Sequence, residues 1–373
     1  MKIGIDARFF GPYGKGLGRY TQKLILNLEK IDQDNQYYIF LRTDNFGDYQ
    51  PQNLNFHKVK ADYPWYSLAE QFLFPWLIRK YQLDLMHFPH FNVPIFYWGK
   101  MIVTIHDLII TNYPTRKATT LGPLKYRLKH AGYKIVIWLA SKRAASIITV
   151  SKYSKQQIVK HFSVNPDKIH VTYEACDAKG NEGSTDNILT KYKISQPYLL
   201  YVGNVYPHKN IETLLSAFSR LSQERDDLKL VLVGKGDYFY QRIKRQVDEL
   251  NLIGKVIFTG FVPDDDLLGI YRKASLYVFP SLEEGFGLPP LEAMAQGIPV
   301  ICSNNSCLPE VLGGAVHYFD PKSTEQIISS VKKVLDDDQY RHQLIQRGSR
   351  QVKKYSWQFL ADKTRRIYQN VLY

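Results

Sequence analysis

The chain contains 373 residues, carries a formal net charge of +14 and is 45% hydrophobic. This length and apolar content exclude a disordered chain and favour two folded domains. The excess of positive charge favours an anionic partner, which leaves nucleic acid, acidic lipid and phosphorylated substrates open.

Cysteine usage and the N-terminus bear on the compartment. Cys176, Cys302 and Cys307 form no CxxC pair, as expected of structural thiols in a reducing cytosol. No signal-peptide pattern follows Met1, and no apolar run has the length that spans a bilayer. We therefore expect a cytoplasmic protein, soluble or peripherally bound to a membrane. Strand-like and helix-like segments alternate along the chain, which predicts α/β architecture with parallel sheets.

The first predicted strand, residues 2–8, leads into a glycine-rich loop and an amphipathic helix. Gly16 and Gly18 belong to that loop, and Arg19 opens the helix. Such a loop lets the backbone approach a ligand closely, although the same pattern also serves as a plain turn.

Residues 56–98 are rich in aromatic side chains. We expect most of these rings to lie in the core; the alternatives are stacking on sugar faces and contact with a membrane boundary. The next predicted strand, Met101 to Asp107, ends with His106 and Asp107. Ligands bind beyond the carboxyl ends of strands in open α/β sheets, which makes His106 a candidate site residue. Asp107 either fixes the tautomer of His106 or caps the following loop.

The segment from Thr111 to Lys160 contains eleven basic residues and no Asp or Glu. Apolar residues are interleaved with these charges, a composition that favours a helix on an anionic membrane surface. The candidate membrane residues are Lys125, Arg127, Lys129 and Lys134. An ordinary helix with a solvated basic face is the alternative. Nucleic acid is disfavoured because no nucleic-acid-binding module surrounds the charges.

Residues 177–188 are rich in Gly, Asn, Ser and Asp, which predicts a link to a second domain. That domain begins with a strand, Tyr198 to Val202, followed by Gly203 and the sequence NVYPHKN. Within this sequence Lys209 is a suitable point charge for a diphosphate, with His208 beside it as a further donor. Two more predicted strands end in loops that contain Gly234, Phe261 and Val262.

Residues 276–299 predict a strand, a loop and a helix. Leu276 to Phe279 is an unbroken apolar run, as in a strand buried on both faces. Gly285 and Gly287 permit a tight bend, and two prolines suit the first turn of the helix. Glu284 lies in the loop and Glu292 in the first helical turn. The N–H groups at a helix start favour the binding of phosphate, and the two carboxylates can accept hydrogen bonds from sugar hydroxyls. The alternative is that one acid caps the helix and the other is solvated.

This strand, loop and helix resemble the donor-binding motif of the family 4 glycosyltransferases, which are retaining enzymes of the GT-B fold. The resemblance covers nearly the whole chain and implies two Rossmann-like parallel-sheet domains with a cleft between them. We expect an acceptor-binding domain, a link, a nucleotide-sugar-binding domain and a terminal helix that packs back on the first domain. Their expected boundaries are 1–178, 179–197, 198–355 and 356–373.

The resemblance also implies roles for the candidate residues. The expected catalytic residues are Glu284, His106 and Lys209. The expected donor-binding residues are Glu292, Gly285, Phe286, Gly287, Leu288, Gly203, His208, Gly234, Phe261 and Val262. The residues expected at the acceptor and cleft are Gly16, Gly18, Arg19 and Asp107. Many relatives have an arginine near the lysine that corresponds to Lys209, whereas this chain has Asn204 and His208 near it. No metal and no cofactor are expected.

The segments VGNVYPHKN and TIHDLI are similar to those of mannosyltransferases. They imply transfer of a hexose, with mannose favoured, from a nucleotide sugar to a sugar or lipid-linked sugar in bacterial surface-polysaccharide assembly. GDP-mannose is the favoured donor, and UDP-glucose and UDP-N-acetylglucosamine are the alternative donors. The resemblance favours attack on the same face of the sugar, and a covalent intermediate is the alternative mechanism. The protein would work at the inner face of the plasma membrane. The alternatives are a GT-B phosphorylase or epimerase and, from another class, a non-catalytic binding protein for anionic lipid or nucleic acid.

Overall fold

A computed structural model describes residues 1–11, 15–113, 122–177 and 187–372. These residues form two compact units. The first contains residues 1–11, 15–111, 122–174 and 356–372, and the second contains residues 112–113, 175–177 and 187–355. Each unit is built around one parallel sheet covered by helices.

The described part of the first unit holds a seven-stranded sheet in the order β3-β2-β1-β4-β5-β6-β7. Every neighbouring pair is parallel. The strands are β1 (Lys2–Asp6), β2 (Gln36–Leu41), β3 (Phe56–Lys60), β4 (Leu85–Phe88), β5 (Met101–Thr104), β6 (Ser146–Thr149) and β7 (Ile169–Val171). The helices are α1 (Lys15–Ile31), α2 (Leu68–Arg79), α3 (Ile109–Asn112), α4 (Pro123–Arg143) and α5 (Lys152–Phe162).

The described part of the second unit holds a six-stranded parallel sheet in the order β10-β9-β8-β11-β12-β13. Its strands are β8 (Tyr198–Val202), β9 (Lys229–Val233), β10 (Val256–Gly260), β11 (Leu276–Phe279), β12 (Val300–Ser303) and β13 (His317–Phe319). Its helices are α6 (Ile188–Lys191), α7 (Ile211–Glu224), α8 (Tyr238–Glu249), α9 (Asp264–Lys273), α10 (Leu288–Ala295), α11 (Leu308–Leu312), α12 (Thr324–Asp336) and α13 (Asp338–Val352). The predicted α/β class with two parallel sheets is confirmed.

The last helix, α14 (Trp357–Leu372), belongs to the first unit, where it packs along α1. The buried hydroxyl of Tyr368 lies 2.6 Å from Nδ1 of His87 on β4. At the other end of the link region, residues 187–197 lie in the second unit, where Lys191 pairs with Asp266 of α9.

The aromatic segment 56–98 divides between core and surface. Phe74, Phe88, Phe91 and Tyr97 are buried as expected. The exposed rings are Tyr66, Phe72, Trp76, Phe96 and Trp98. For these five residues the expectation of burial is wrong. Phe72 and Trp76 face outward from α2, whose buried face carries Glu70, Phe74 and Ile78, and the other three rings lie outside that helix.

Candidate active site

The connection from β11 to α10 forms the centre of the candidate site in the second unit. All four residues of β11 are buried. Gly287 has a left-handed φ of 94°, and a Cβ atom there would lie 2.7 Å from Cδ2 of Leu308. Position 287 therefore favours glycine for both conformation and space. Helix α10 begins immediately afterwards at Leu288. Because Pro289 and Pro290 have no N–H, the backbone donors at the start of this helix are those of Gly287 and Leu288.

Two of the expected catalytic residues meet at this edge of the sheet. Nζ of Lys209 lies 2.5 Å from Oε1 of Glu284, and the two side chains are only 13% and 10% exposed. The backbone N–H of Glu284 donates to Oγ of Ser306 at 3.1 Å. The structure thus holds a cation and a carboxylate as a largely desolvated pair beside the start of α10.

Asn210, which the sequence reasoning missed, fixes the position of Lys209. Lys209 ends a short 3-10 turn, Pro207–Lys209, and Asn210 follows with a left-handed φ of 61°. The Asn210 amide donates to the carbonyls of Pro280 at 3.1 Å and Pro321 at 2.8 Å. An asparagine directly after a candidate lysine was a usable signal, because asparagine tolerates the left-handed conformation.

His208 is neutral at physiological pH. Burial and the neighbouring Lys209 charge lower the pKa of its imidazole to about 4. Its carbonyl accepts a 2.7 Å bond from the N–H of Leu282, which ties the lysine turn to the glutamate loop. His208 therefore contributes a neutral imidazole to this site, and no second cation beside Lys209.

Glu292 lies on α10 but beyond its first turn, which contains no acid, so its predicted place in that turn is wrong. It is half-buried, with one carboxylate oxygen 3.4 Å from the hydroxyl of Tyr271. Phe286 is different, because its ring is only 3% exposed and packs edge-to-face on Tyr355. The ring is part of the core, so a donor contact from Phe286 could come only from its backbone. Leu288 and Gly285 flank this bend, as the sequence predicts.

The ends of β8, β9 and β10 bring three glycines together. The N–H of Gly234 donates to the carbonyl of Gly260 at 3.2 Å, and a Cβ atom on Gly234 would lie 2.3 Å from the carbonyl oxygen of Gly203. Backbone therefore lies against backbone here, which side chains would prevent. Beside this edge the ring of Phe261 is 73% exposed, whereas Val262 is buried.

In the first unit, His106 lies just past the end of β5 between two acceptors. Nδ1 lies 3.1 Å from Oε1 of Glu174, and Nε2 lies 3.0 Å from the carbonyl oxygen of Pro89. A neutral imidazole has only one N–H, so both bonds require the imidazolium form when Glu174 is ionised. Burial alone would lower the pKa of His106, but the bonds to Glu174 and Pro89 together raise it above 6.5.

The hydrogen bond to Glu174 holds the His106 ring. Oδ1 of Asp107 accepts from the N–H of Ile109 at 3.0 Å, so Asp107 caps the segment that follows it. Sequence reasoning missed Glu174, which lies 68 positions from His106. Its location three residues after β7 was the available signal, because the strands of a parallel sheet end at one edge.

The glycines near the N-terminus lie in a helix and not in a loop, which corrects the prediction. Helix α1 starts at Lys15, so Gly16, Gly18 and Arg19 form its first turns. A Cβ atom on Gly18 would lie 2.1 Å from the carbonyl oxygen of Gly11, so Gly18 permits close packing of backbone on backbone. Gly16 has open space around it.

The candidate membrane residues Lys125, Arg127, Lys129 and Lys134 are exposed on α4. Apolar side chains also face outward from this helix: Leu124, Leu128, Ile135 and Trp138. The buried face carries Ile137 and Ala140. Helix α4 is therefore apolar on two opposite faces, with its cations between them.

No group of three or more His, Cys, Asp or Glu residues is arranged to hold a metal ion in the described part of the chain. Of the helices described, none combines the length and apolar character that crossing a bilayer requires.

The two halves of the chain match two different glycosyltransferase family descriptions. Residues 185–351 match the glycosyl transferases group 1, and residues 14–179 match glycosyltransferase family 4. The chain is 32% identical over 377 residues to the O-antigen chain mannosyltransferase B of Escherichia coli, covering 95% of each chain. It is 30% identical to the O-antigen chain mannosyltransferase RfbU of Salmonella typhimurium, over 72% of this chain and 70% of the relative.

Solved structures match over essentially the full length. Sucrose-phosphate synthase from Thermosynechococcus elongatus superposes with a TM-score of 0.78 at 20% identity, covering 100% of this chain and 99% of the other. Anabaena HepE in complex with UDP-glucose superposes with a TM-score of 0.77 at 14% identity, covering 99% and 100%. At these identities the structural matches establish the fold, and the sequence relatives establish the family. The chain is therefore a hexosyltransferase that belongs to the group 1, family 4 glycosyltransferases of the GT-B fold.

Proposed function

We propose that the protein transfers a mannosyl group from GDP-mannose to a sugar acceptor, with retention of anomeric configuration, in bacterial surface-polysaccharide assembly. The observation that carries the proposal is the Lys209–Glu284 pair beside the N-terminus of α10. The names of the two O-antigen mannosyltransferases support the choice of mannose and of polysaccharide assembly.

Lys209 and the start of α10 are proposed to bind the diphosphate of the donor. Cleavage of the bond between sugar and phosphate leaves negative charge on the leaving diphosphate. The ammonium of Lys209 and the free amides near Gly287 and Leu288 are suited to stabilise that charge, because a helix N-terminus attracts anions. No metal is part of this proposal.

Glu284 is proposed to act on the sugar. The sugar ring gains positive character as the bond to phosphate breaks, and an adjacent carboxylate stabilises it. When the diphosphate draws Lys209 towards it, Glu284 becomes free to accept bonds from sugar hydroxyls. Glu292 is proposed to bind the ribose, and the exposed ring of Phe261 to lie against the base.

The contribution of the first unit stays a prediction. His106 is expected to contact the sugar, and Gly16, Gly18, Arg19 and Asp107 to lie near the acceptor. If the Nε2–H of His106 exchanges its bond with the Pro89 carbonyl for a sugar hydroxyl, the imidazolium keeps its bond to Glu174 throughout.

The acceptor is proposed to be a lipid-linked sugar at the inner face of the plasma membrane. The four exposed cations of α4 support this step, since each basic residue near an anionic leaflet contributes about 1 kcal/mol of attraction.

The test is a panel of sugar nucleotides assayed first for protection against thermal unfolding and then for transfer. GDP-mannose is expected to raise the unfolding temperature more than UDP-glucose or UDP-N-acetylglucosamine, since bound ligand stabilises the folded state by mass action. The product made with acceptor should show the anomeric configuration of the donor by NMR. A preference for a UDP-sugar would overturn the donor assignment, and an inverted product would overturn retention.

A further inference from the structure

Four exposed aromatic residues form a surface on the first unit that the transfer reaction does not use. We call Phe72, Trp76, Phe96 and Trp98 the aromatic surface. Phe72 and Trp76 lie one turn apart on α2, and the ring of Phe72 stacks on Phe96 with centroids 4.5 Å apart. Trp76 is 61% exposed and Trp98 is 80% exposed. Leaving rings of this size in water is unfavourable, so several exposed rings on one helix and on the segment stacked against it mark an interaction site.

A cation lies over each of the two tryptophans of the aromatic surface. Nζ of Lys80 is 3.7 Å from the centroid of Trp76, and the guanidinium of Arg143 is 4.4 Å from that of Trp98. Arg143 is held in place by donating to the carbonyls of Ile95, at 2.6 Å, and Tyr97. The aromatic surface therefore presents apolar rings and positive charges side by side.

The chain around this surface is strongly basic. Residues 63–166 contain fourteen Lys and Arg but only three acids, Glu70, Asp84 and Asp107. Each acid is engaged within the first unit: Glu70 is buried against Arg8, Asp84 accepts from the N–H of Lys2, and Asp107 caps Ile109. This stretch of the sequence thus carries an excess of positive charge, and Lys80 and Arg143 place part of it at the aromatic surface.

We propose that the aromatic surface seats the protein in the headgroup region of an anionic bilayer. Tryptophan rings are favoured at that depth, and long basic side chains beside them reach lipid phosphates. The proposal deepens the membrane part of the proposed function, and rests on it. It differs from adsorption through α4, because ring insertion contributes binding that salt does not screen.

A second copy of this chain fits the aromatic surface less well. A two-fold interface would bring each patch, with its Lys80 and Arg143, against the same patch of the partner. Like charges would then be desolvated together at the edge of the apolar contact, which opposes association. A bilayer with anionic headgroups supplies both the apolar layer and the compensating charge.

The experiment uses the full-length protein with phosphatidylcholine vesicles, with and without phosphatidylglycerol, at low and high salt. Trp76→Ser/Trp98→Ser should weaken binding to anionic vesicles at least about tenfold and abolish the part that persists in high salt. Lys125→Gln/Lys129→Gln should remove only the part that high salt removes. Both variants should keep the wild-type unfolding temperature, because all four side chains are exposed.

Depth is measured by quenching tryptophan fluorescence with lipids brominated on their acyl chains. The wild type should be quenched, Trp76→Phe/Trp98→Phe should lose most of that quenching while staying bound, and Trp138→Phe should keep it. Vesicle binding with unchanged quenching in Trp76→Phe/Trp98→Phe would overturn the proposal in favour of α4 alone. A dimer in sedimentation velocity that Trp76→Ser/Trp98→Ser dissociates, with vesicle binding intact, would overturn it in favour of a second copy. None of these readouts depends on glycosyl transfer, so failure of the proposed reaction would be recognised separately.

Discussion

The ammonium of Lys209 lies 2.5 Å from the carboxylate of Glu284, and few other charges in the second unit are as well shielded from water. The pair joins the turn after β8 to the loop after β11, alongside the backbone bond from Leu282 to His208. A diphosphate would compete with Glu284 for the same lysine. The pair is therefore charge-balanced, and we expect donor binding to replace Glu284 as the partner of Lys209.

Removal of either member of this pair is expected to slow transfer about 100-fold or more, the range found for groups that stabilise charge in a transition state. Glu284→Gln should act mainly on kcat, and Lys209→Ala on both donor affinity and kcat. Since the two groups contact each other, the double variant should lose less than the sum of the single effects. The matched control is Glu212→Gln, which breaks the more exposed Glu212–Arg242 pair of the same unit and should leave kcat unchanged. Wild-type turnover in Glu284→Gln would remove this residue from the mechanism.

The bond between His106 and Glu174 makes the first unit sensitive to pH. Because the pKa of His106 in the folded protein lies above its ordinary value of 6.5, the stabilisation is complete below pH 6.5 and is lost as pH rises through the folded-state pKa. Glu174→Gln should therefore lower the free energy of unfolding more at about pH 6 than at about pH 9. NMR titration of the ring should show the pKa of His106 falling in the variant. An unchanged pKa of His106 would mean that Glu174 does not stabilise the imidazolium form, whether or not the rate of glycosyl transfer changes.

Gly287→Ala is expected to destabilise the second unit by about 1–3 kcal/mol, the usual range for a side chain forced into a left-handed backbone. The added methyl also meets Leu308. Urea unfolding measures the change, and Gly132→Ala is the control because that glycine lies within α4 with open space around it. The control should gain about 0.5–1 kcal/mol from better helix propensity. Equal effects of the two substitutions would contradict the bend described here.

Phe261→Ala is expected to weaken donor binding about tenfold, the lower end of the range for stacking of one base on an aromatic ring. Stability should not change, since the ring is largely exposed. Ile253→Ala provides the comparison, because Ile253 is equally exposed in the same unit and has no proposed contact. Isothermal titration with the nucleoside diphosphate reports the affinity without requiring an acceptor. Identical affinities in the two variants would exclude Phe261 from the base site.

Tyr368→Phe tests the anchoring of α14. It removes the partner of Nδ1 of His87 in a fully buried setting, where burial lowers the pKa of His87 to about 3 and keeps it neutral. An unsatisfied buried polar group costs about 1–3 kcal/mol of unfolding free energy. Phe359→Ala on the exposed side of the same helix should cost less than about 0.5 kcal/mol. Both are read from urea unfolding curves, and equal costs would show that the hydrogen bond is unimportant.

Much of the fold follows from local pattern. The run Leu276–Phe279 is apolar at every position, which already requires cover on both faces of the sheet. The glycine and proline positions after it predict the bend and the start of α10 within one or two residues. Local patterns of this kind predict the structure correctly because they do not depend on partners elsewhere in the chain.

What escaped prediction depends on distant partners. Glu70 is buried and Trp76 exposed on the same helix because Arg8, 62 positions away from Glu70, provides the charge that the acid needs. No pattern within α2 contains that information. Likewise, Glu174 becomes a partner of His106 only when β5 and β7 end at one edge of the sheet. Glycine usually weakens helices, so the sequence predicts a loop at Gly16 and Gly18, whereas Gly18 lies in α1 with its Cα against the backbone carbonyls of Phe9 and Gly11.

The return of α14 to the first unit has a consequence for biosynthesis. Most of the second unit, residues 175–177 and 187–355, lies in the sequence between two parts of the first, so it can fold while the first unit still lacks a helix. On the ribosome, the groove along α1 stays open until the final sixteen-residue helix emerges. A nascent chain halted before Ser356 would therefore expose that groove, and we expect chaperones and proteases to discriminate such products from finished ones at this position.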